Sequence, residues 1–183
     1  MSTRTFTPSE KEILSALDAI VRRRAVKAEI DAAILRLERR LASDSAAPMA
    51  WETLPCSLDD PGLPAGIRSG WVFILRAGAI TGAERHPNSH QRTLSYRGRG
   101  DLQILEGPLW RRGVLTSAPS ASLVKRWASI PPNTWHQVVV GKKADWVVVS
   151  FHTVPVEELV EERPRSDGRR AYERRRYVGE TAR

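Results

Sequence analysis

The residues best suited to bind a metal ion are a glutamate and two histidines between positions 84 and 136. Glu84 and His86 are separated by one residue, and residues i and i+2 of a β-strand point to the same face. The two side chains would therefore share one interior surface, while Arg85 points away. His136 follows much later and can join them only if a distant strand packs nearby. A carboxylate and two imidazoles facing one point suit a divalent metal with open coordination positions.

These residues belong to two spaced patterns. In the first, Gly78 is followed by five residues and Glu84, then one residue and His86, four residues and Gln91, and six residues and Gly98. The second pattern is the run Pro-Pro-Asn-Thr-Trp-His that ends at position 136.

Both patterns resemble the two motifs of the cupin superfamily, over roughly residues 65–155. The spacing of the first motif is kept, but Glu84 stands where the family has its first histidine and Gln91 where it has a glutamate. In the second motif Pro131 and His136 match, while Asn133 replaces a glycine, and Asn tolerates the left-handed backbone of a tight turn. The resemblance implies a jelly-roll fold. It leaves the reaction open, because the superfamily includes oxygenases, isomerases, storage proteins and ligand-sensing regulators.

The resemblance also implies a set of metal ligands. Glu84, His86 and His136 would hold the ion, and Gln91 would be a fourth ligand or would bind a metal-bound water. Fe(II) is the expected ion, with Mn, Ni or Zn as alternatives. A shifted register would put His90 in place of Gln91, but Gln91 keeps the downstream glycine in phase. The departures from the family pattern also leave open a cupin without metal, whose two histidines only form hydrogen bonds in a polar pocket.

Polar residues after Gln91 are candidates for binding a substrate. Thr93 and Ser95 share a strand face with Gln91 and would line a ligand pocket. Arg92 is a candidate anchor for an anionic substrate, because guanidinium pairs with carboxylate or phosphate through two hydrogen bonds. The remaining candidates are Arg76 and Arg126 as further anion anchors and His152 as a structural residue that orients a ligand.

Short β-branched and aromatic runs, separated by turns rich in glycine and proline, predict strands after residue 65. The runs cover residues 71–75, 93–96, 102–105, 114–115, 136–140 and 146–151. Gly98–Gly100 is predicted to be a hairpin turn between the second and third of them. We therefore expect a mainly β domain over residues 65–162, an antiparallel, cupin-like jelly-roll β-barrel. A short acidic helix within residues 154–162 would end it.

Residues 1–45 predict an N-terminal helical segment. Two apolar stripes repeat at helical spacing, Ile13, Leu17 and Ile20, then Ile30, Ile34, Leu37 and Leu41. The phase between them slips near Arg22–Arg24, which favours two helices or one bent helix. The stripes either pack on the β domain or form a dimer seam, and a homodimer is expected. Residues 46–64 are rich in proline and predict a connector without helix or sheet.

The distribution of charge along the chain indicates whether a nucleic acid is an expected partner. Residues 163–183 carry +5 of the net charge of +8 and predict a basic, disordered tail. Such runs are usually solvated, so a nucleic-acid partner is not expected.

The longest apolar runs are strand-sized, which excludes an integral membrane protein. Cys56 is the only cysteine and excludes an internal disulfide. Together with the polar start of the chain, it indicates a cytoplasmic location.

The sequence thus predicts a cupin-like metal-binding protein. Its activity would be that of a non-haem iron dioxygenase acting on a small polar or anionic molecule. A metal-poor module that binds or senses a small ligand is the alternative, and an isomerase or epimerase in the same pocket is a variant. No nucleophilic serine or cysteine site is recognised.

Overall fold

The computed structural model describes residues 5–55, 63–165 and 172–178 of the chain. Helices and strands follow in the order α1 (Pro8–Val21), α2 (Arg24–Ser43), β1 (Met49–Leu54), β2 (Ser69–Leu75), β3 (Gln91–Arg97), β4 (Arg99–Glu106), β5 (Leu109–Arg111), β6 (Val114–Thr116), α3 (Leu123–Arg126), β7 (Trp127–Ile130), β8 (His136–Val140), β9 (Trp146–His152), β10 (Val160–Pro164) and β11 (Tyr172–Arg176), with a 3₁₀ turn at Val156–Glu158 before β10.

The strands form antiparallel sheets. One sheet has five strands in the order β1-β2-β9-β3-β7. In the other, β4 pairs with β5, β6 and β8. Strands β10 and β11 form a separate hairpin, which contacts the rest of the fold through a backbone bridge between Arg85 and Glu162. The predicted class, mainly antiparallel β with an N-terminal helical segment, is confirmed, but the described strands make separate sheets and not one closed barrel.

The five-stranded sheet is covered on both faces because its central strand alternates. Val147, Val149 and Phe151 of β9 pack against the helices. Trp146 and Val148 face the second sheet and pack with residues of β4, β6 and β8. Since the helices supply one large apolar core, the opposite face of the sheet can carry polar residues beside its own apolar cluster.

The two apolar stripes of the N-terminal segment are buried except for Ile13, which is half-buried, and the break between the helices falls where the phase slips. Thr7 caps α1 by accepting a hydrogen bond from the Glu10 backbone, and Pro8 occupies the first turn. The stripes pack on the five-stranded sheet, so they do not provide a dimer seam. The homodimer itself stays a prediction.

Two carboxylates of α1 fix the helix to the sheet. Asp18 accepts from both terminal nitrogens of Arg126 and from Nε1 of Trp127 at 2.9 Å. Glu10 accepts two hydrogen bonds of 2.8 Å from Arg92. Although burial alone would raise the pKa of Asp18, the hydrogen bonds from Arg126 and Trp127 outweigh it and lower that pKa.

Three predictions about connecting segments are wrong. The segment 46–64 contains strand β1, which pairs along its whole length with β2. The predicted hairpin turn at Gly98–Gly100 is a crossing between sheets, since β3 and β4 do not pair. The predicted disordered tail, 163–183, contains strand β11 over residues 172–176, because its arginines meet the glutamates of β10.

Some predictions lie outside the described residues. They concern Cys56 and the parts of the predicted tail at 166–171 and 179–183. Within the described residues no helix is long and apolar enough to cross a membrane.

Gly100 offers a test of the packing between the sheets. A methyl group at this position would overlap the indole ring of the buried Trp146, whereas Gly141 has open space around it and no positive φ. We expect Gly100→Ala to lower the free energy of unfolding by about 1–3 kcal/mol, the usual cost of overpacking. Urea denaturation measures this, with Gly141→Ala as the matched control. Equal stability of the two variants would contradict the packing described here.

Candidate metal centre

The backbone places Glu84 directly opposite His136. The two residues form an antiparallel bridge in which the Glu84 N–H donates to the His136 carbonyl at 2.9 Å and the His136 N–H donates to the Glu84 carbonyl at 2.8 Å. Directly opposed residues have neighbouring side chains on one face of the sheet. The distant strand that the sequence required is therefore β8, at its first residue.

Glu84, His86 and His136 converge on one point. One candidate ligand atom from each of the three lies within 4.8 Å of the other two. Oε1 of Glu84 is 3.5 Å from Nε2 of His136, and the rings of His86 and His136 have centroids 5.4 Å apart. The expected alternation of Glu84 and His86 onto one face is thus present. In the described residues, no other set of His, Cys, Asp or Glu side chains meets this spacing.

Hydrogen bonds fix the tautomer of both histidines. Nδ1 of His86 lies 3.0 Å from the Val160 carbonyl oxygen, and Nδ1 of His136 lies 3.0 Å from that of Thr134. A carbonyl oxygen only accepts, so each Nδ1 must carry the proton. In the neutral ring the lone pair is then on Nε2. Metal-binding histidines in proteins are usually oriented in this way, with the second nitrogen donating to a carbonyl or carboxylate.

Asn133 shapes the turn that precedes β8. It is the one non-glycine residue with a positive φ in the described chain, at 62°. Its N–H donates to the His86 carbonyl at 3.1 Å, so the turn is joined to the segment that carries the other histidine. The substitution of asparagine for the motif glycine is therefore compatible with the left-handed turn.

Gln91 is buried beside the three ligands and uses only half of its amide. Its Nε2 donates to Thr93 Oγ1 at 3.1 Å and to Ser150 Oγ at 3.5 Å, and these two hydroxyls are 2.9 Å apart. Its Oε1 has no hydrogen-bond partner, and neither has Nε2 of His136. Two buried polar atoms without hydrogen-bond partners are costly unless a bound group satisfies them.

Burial and neighbouring charges set the protonation states. Burial alone would raise the pKa of Glu84, but His136 and Arg163 outweigh it and lower that pKa to about 2. Burial lowers the pKa of His86 to about 4, and His136 adds to the effect. At neutral pH the site therefore holds a carboxylate and an unprotonated His86, the forms that bind metals.

A small cavity of about 40 Å³ lies against these residues. This volume is close to that of one water molecule. Its polar side is formed by Glu84, Gln91, Thr93, His136 and Ser150, and its apolar side by Phe73, Leu102, Val138 and Trp146. Larger depressions, such as one of about 640 Å³ beside Asp101, lie elsewhere on the surface and do not contain the three converging ligands.

Arg163 contacts the site and was missed by the sequence analysis, which assigned it to the tail. Its Nη2 donates to Oε2 of Glu84, its Nε donates to Glu161 at 2.7 Å, and its Nη1 donates to the Thr81 carbonyl at 2.9 Å. Tyr177, also in the predicted tail, lines the cavity. A sequence signal did exist, because the two glutamates at 161–162 lie opposite two of the three arginines at 174–176, Arg175 and Arg174, once the segments pair as a hairpin.

The other candidates have different environments. His90 does not join the site, since its Nε2 is 2.7 Å from Ser129 Oγ and it faces Glu10. The register with Gln91 inside is therefore the one realised. Arg92 points to the helix side and is held by Glu10, because it alternates with Gln91 along β3. The prediction that Arg92 lines the ligand pocket is wrong.

Three further side chains have structural contacts. Ser95 shares the interior face but accepts from Nε1 of Trp146 at 2.8 Å and does not line the cavity. Arg76 donates to backbone carbonyls at the end of α2. His152 is buried at the end of β9, with Nδ1 3.1 Å from Ser89 Oγ and its ring 5.2 Å from that of His86. It supports the ring of His86, as expected for an orienting residue.

Comparisons with known proteins identify structural neighbours only. No model of a known protein family matches the chain, and no curated protein does either. A structure of oxalate oxidase with the substrate analogue glycolate shares 22% identity, covering 62% of this chain and 55% of that chain, with a TM-score of 0.44. The coconut allergen cocosin shares 15% identity, over 63% and 27% of the two chains, with a TM-score of 0.46.

A third neighbour, KdgF from Halomonas sp., shares 15% identity over 61% of this chain and 85% of that chain, with a TM-score of 0.42. The chain spans about half the length of the oxalate oxidase structures it matches. The neighbours are cupin-fold proteins, the superfamily whose motif spacings the sequence resembles. The activities of these neighbours are not assigned to this chain.

The lowered pKa of His86 predicts how the metal-free protein responds to acid. The unfolded chain binds a proton at this histidine below pH 6.5, while the folded chain binds it only near pH 4. Stability therefore falls as the pH is lowered through this range. Between pH 6.5 and 5 we expect a loss of about 1–2 kcal/mol from His86 alone.

Urea denaturation in the presence of a chelator measures this loss. His86→Gln should flatten the pH dependence without abolishing it, because the pKa of the buried His152 is lowered as well. A variant with the same slope as the wild-type protein would show that His86 is not buried in its neutral form.

Proposed function

We propose that this chain is a cupin-like metal-binding protein whose ion is held by Glu84, His86 and His136. The observation that supports this most directly is the convergence of one carboxylate oxygen and two imidazoles within 4.8 Å, with both Nδ1 atoms engaged by carbonyls. Coordination would use both Nε2 atoms, since each Nδ1 faces a backbone carbonyl.

The donor set fits a divalent cation. Nε2 of His136 and Oε1 of Gln91 are buried polar atoms with no hydrogen-bond partner, and a cation bound by the unprotonated Nε2, together with its bound water, would satisfy both. Two imidazoles and one carboxylate with open positions match non-haem Fe(II), and Mn, Ni or Zn are compatible with the same ligands. Gln91 acts as a fourth ligand or accepts a hydrogen bond from a metal-bound water.

The finer proposal is a dioxygenase that acts on a small polar or anionic molecule. Bound iron would supply Lewis acidity and a binding position for oxygen. Trp146, Phe73 and Tyr177 line the cavity, and such apolar walls would limit the access of bulk water to the ion. Thr93 and Ser150 orient the Gln91 amide by accepting from its Nε2, so that its oxygen is the group presented to the ligand.

The ion content of the purified protein tests the metal site. Protein purified without chelator and reloaded with Fe(II) under anaerobic conditions should contain about one ion per chain, and His136→Ala should contain close to none, because two ligands are too few. His90→Ala is the matched control, since this histidine is outside the site, and it should keep the ion. Elemental analysis by mass spectrometry gives the stoichiometry. A value near zero in the wild-type protein, unchanged by His136→Ala, would remove this function.

One observation favours the alternative, a metal-poor module that binds or senses a small ligand. Oε2 of Glu84 already has a cationic partner in Arg163, and a guanidinium can take the place of a metal as the counter-charge. An isomerase or epimerase would use the same pocket with His86 or His136 as the general base.

Thermal unfolding in EDTA separates the alternatives. The metal-poor module predicts that a small carboxylate such as glycolate raises the melting temperature of the metal-free protein, since a ligand that binds only the folded state stabilises it. The metal centre predicts no such rise in EDTA and a rise once Mn(II) is in excess over the chelator. His136→Ala should abolish that second rise. A rise in EDTA that is indifferent to Mn(II) would favour the metal-poor module.

A nucleic-acid partner is not proposed. In the described part of the basic segment, Arg174 and Arg175 form ion pairs with Glu162 and Glu161 at 2.7 and 2.6 Å. Their charge is therefore balanced within the hairpin, which leaves less of it for phosphates. A small molecule stays the expected partner.

A further inference from the structure

Arg163 gives the two oxygens of the Glu84 carboxylate different environments. Its Nη2 donates to Oε2, while Oε1 faces Nε2 of His136 at 3.5 Å. One oxygen of Glu84 is thus engaged in an ion pair on the side of the C-terminal hairpin, and the other is left for the two histidines. Among the described residues, Arg163 is the only arginine or lysine in ion-pair contact with Glu84.

The guanidinium of Arg163 is held in a fixed orientation. Besides Glu84 it donates to Glu161, whose side chain is fully buried, and to the Thr81 carbonyl. Glu161 in turn pairs with Arg175 on the neighbouring strand of the hairpin. Because three partners define the plane of the guanidinium, Arg163 cannot leave Glu84 without breaking contacts in β10 and in the segment before Glu84.

A carboxylate that binds an ion through both oxygens occupies two coordination positions, whereas one that binds through a single oxygen leaves a position open. Arg163 competes for Oε2 and also adds a positive charge close to the site, which opposes cation binding. Both effects lower the affinity for the ion and keep a position free.

We propose that Arg163 is a positioning residue that restricts Glu84 to one-oxygen coordination, so that the C-terminal hairpin is part of the metal centre. This rests on the proposed metal-binding function and adds to it the residue that keeps a coordination position open for an exogenous ligand. The sequence motif ends before residue 155 and contains no such residue, so the hairpin is a feature of this chain's own tertiary structure.

Cobalt(II) substitution tests the proposal without requiring a known substrate. The intensity of Co(II) d–d absorption falls as the coordination number rises, so it reports how Glu84 binds. We expect Arg163→Gln to lower this intensity and to bind Co(II) at least about tenfold more tightly, because a competing cation is removed. Arg163→Lys keeps one charged N–H donor and should retain the wild-type spectrum.

Two controls address the buried charges. The double variant Arg163→Gln/Glu161→Gln removes Arg163 together with its fully buried partner Glu161, so that Glu161 is not left charged with one of its two arginines missing, and it should show the same spectral change. Arg85→Gln is the matched single control. Arg85 pairs with the equally buried Glu162 at 2.7 Å and does not contact Glu84, so its loss should leave the cobalt spectrum unchanged.

The outcomes separate the two proposals. Absence of cobalt bands in the folded wild-type protein would overturn the metal site and the role of Arg163 together. Cobalt bands that are identical in the wild-type protein, Arg163→Gln and the double variant would overturn only the role of Arg163. Loss of cobalt binding in a folded Arg163→Gln variant would also overturn it, since the proposal requires tighter binding.

Discussion

The candidate site depends on the pair of backbone hydrogen bonds between Glu84 and His136. This bridge joins the segment that carries the first motif to the strand that carries the second, fifty-two residues further along the chain. It positions a carboxylate and an imidazole side by side before any ligand is present. Because His86 lies two residues from Glu84, the same bridge also brings the second imidazole to the site. Without this register the three side chains would have no common point.

A polar interior of this kind needs stability from elsewhere in the fold. Gln91, Thr93 and Ser150 occupy interior positions that apolar residues would otherwise fill. The helices compensate, since α1 and α2 bury a large apolar cluster on the opposite face of the five-stranded sheet. The ion pairs that Asp18 and Glu10 make with Arg126 and Arg92 fix the first helix in place. The arginines that looked like substrate anchors thus serve to hold the helical layer.

The C-terminal hairpin completes the site by electrostatics. Its two buried glutamates would be unfavourable alone, yet each is paired with arginines from the hairpin itself or from the segment around Glu84. The same network delivers Arg163 to one oxygen of Glu84. Arg163 is the counter-charge of Glu84 in the absence of an ion, and in the proposed metal centre it would lower the affinity for the ion. This arrangement of charges is therefore compatible with both a metal centre and a metal-poor pocket.

The sequence by itself determined the features that depend on local periodicity. The two-residue alternation placed Glu84 and His86 on one face, and the helical stripes and their phase slip indicated two helices or one bent helix, of which two are observed. The spacing of the motif that the sequence resembles indicated Gln91 in preference to His90. Local patterns carry this information because neighbouring side chains alternate in a fixed way along a strand or a helix. The six predicted strands all fall within observed ones.

Only the tertiary structure decided which distant segments meet. Strand β1 in the proline-rich segment and strand β11 in the basic segment are stabilised by their partners, β2 and β10, and neither is evident from its own composition. Arg92 and Arg163 show the same dependence on tertiary structure, since Arg92 forms an ion pair with Glu10 of α1 and Arg163 forms one with Glu84. The charge of an arginine is visible in the sequence, but its counter-ion is chosen by packing between residues far apart in the chain.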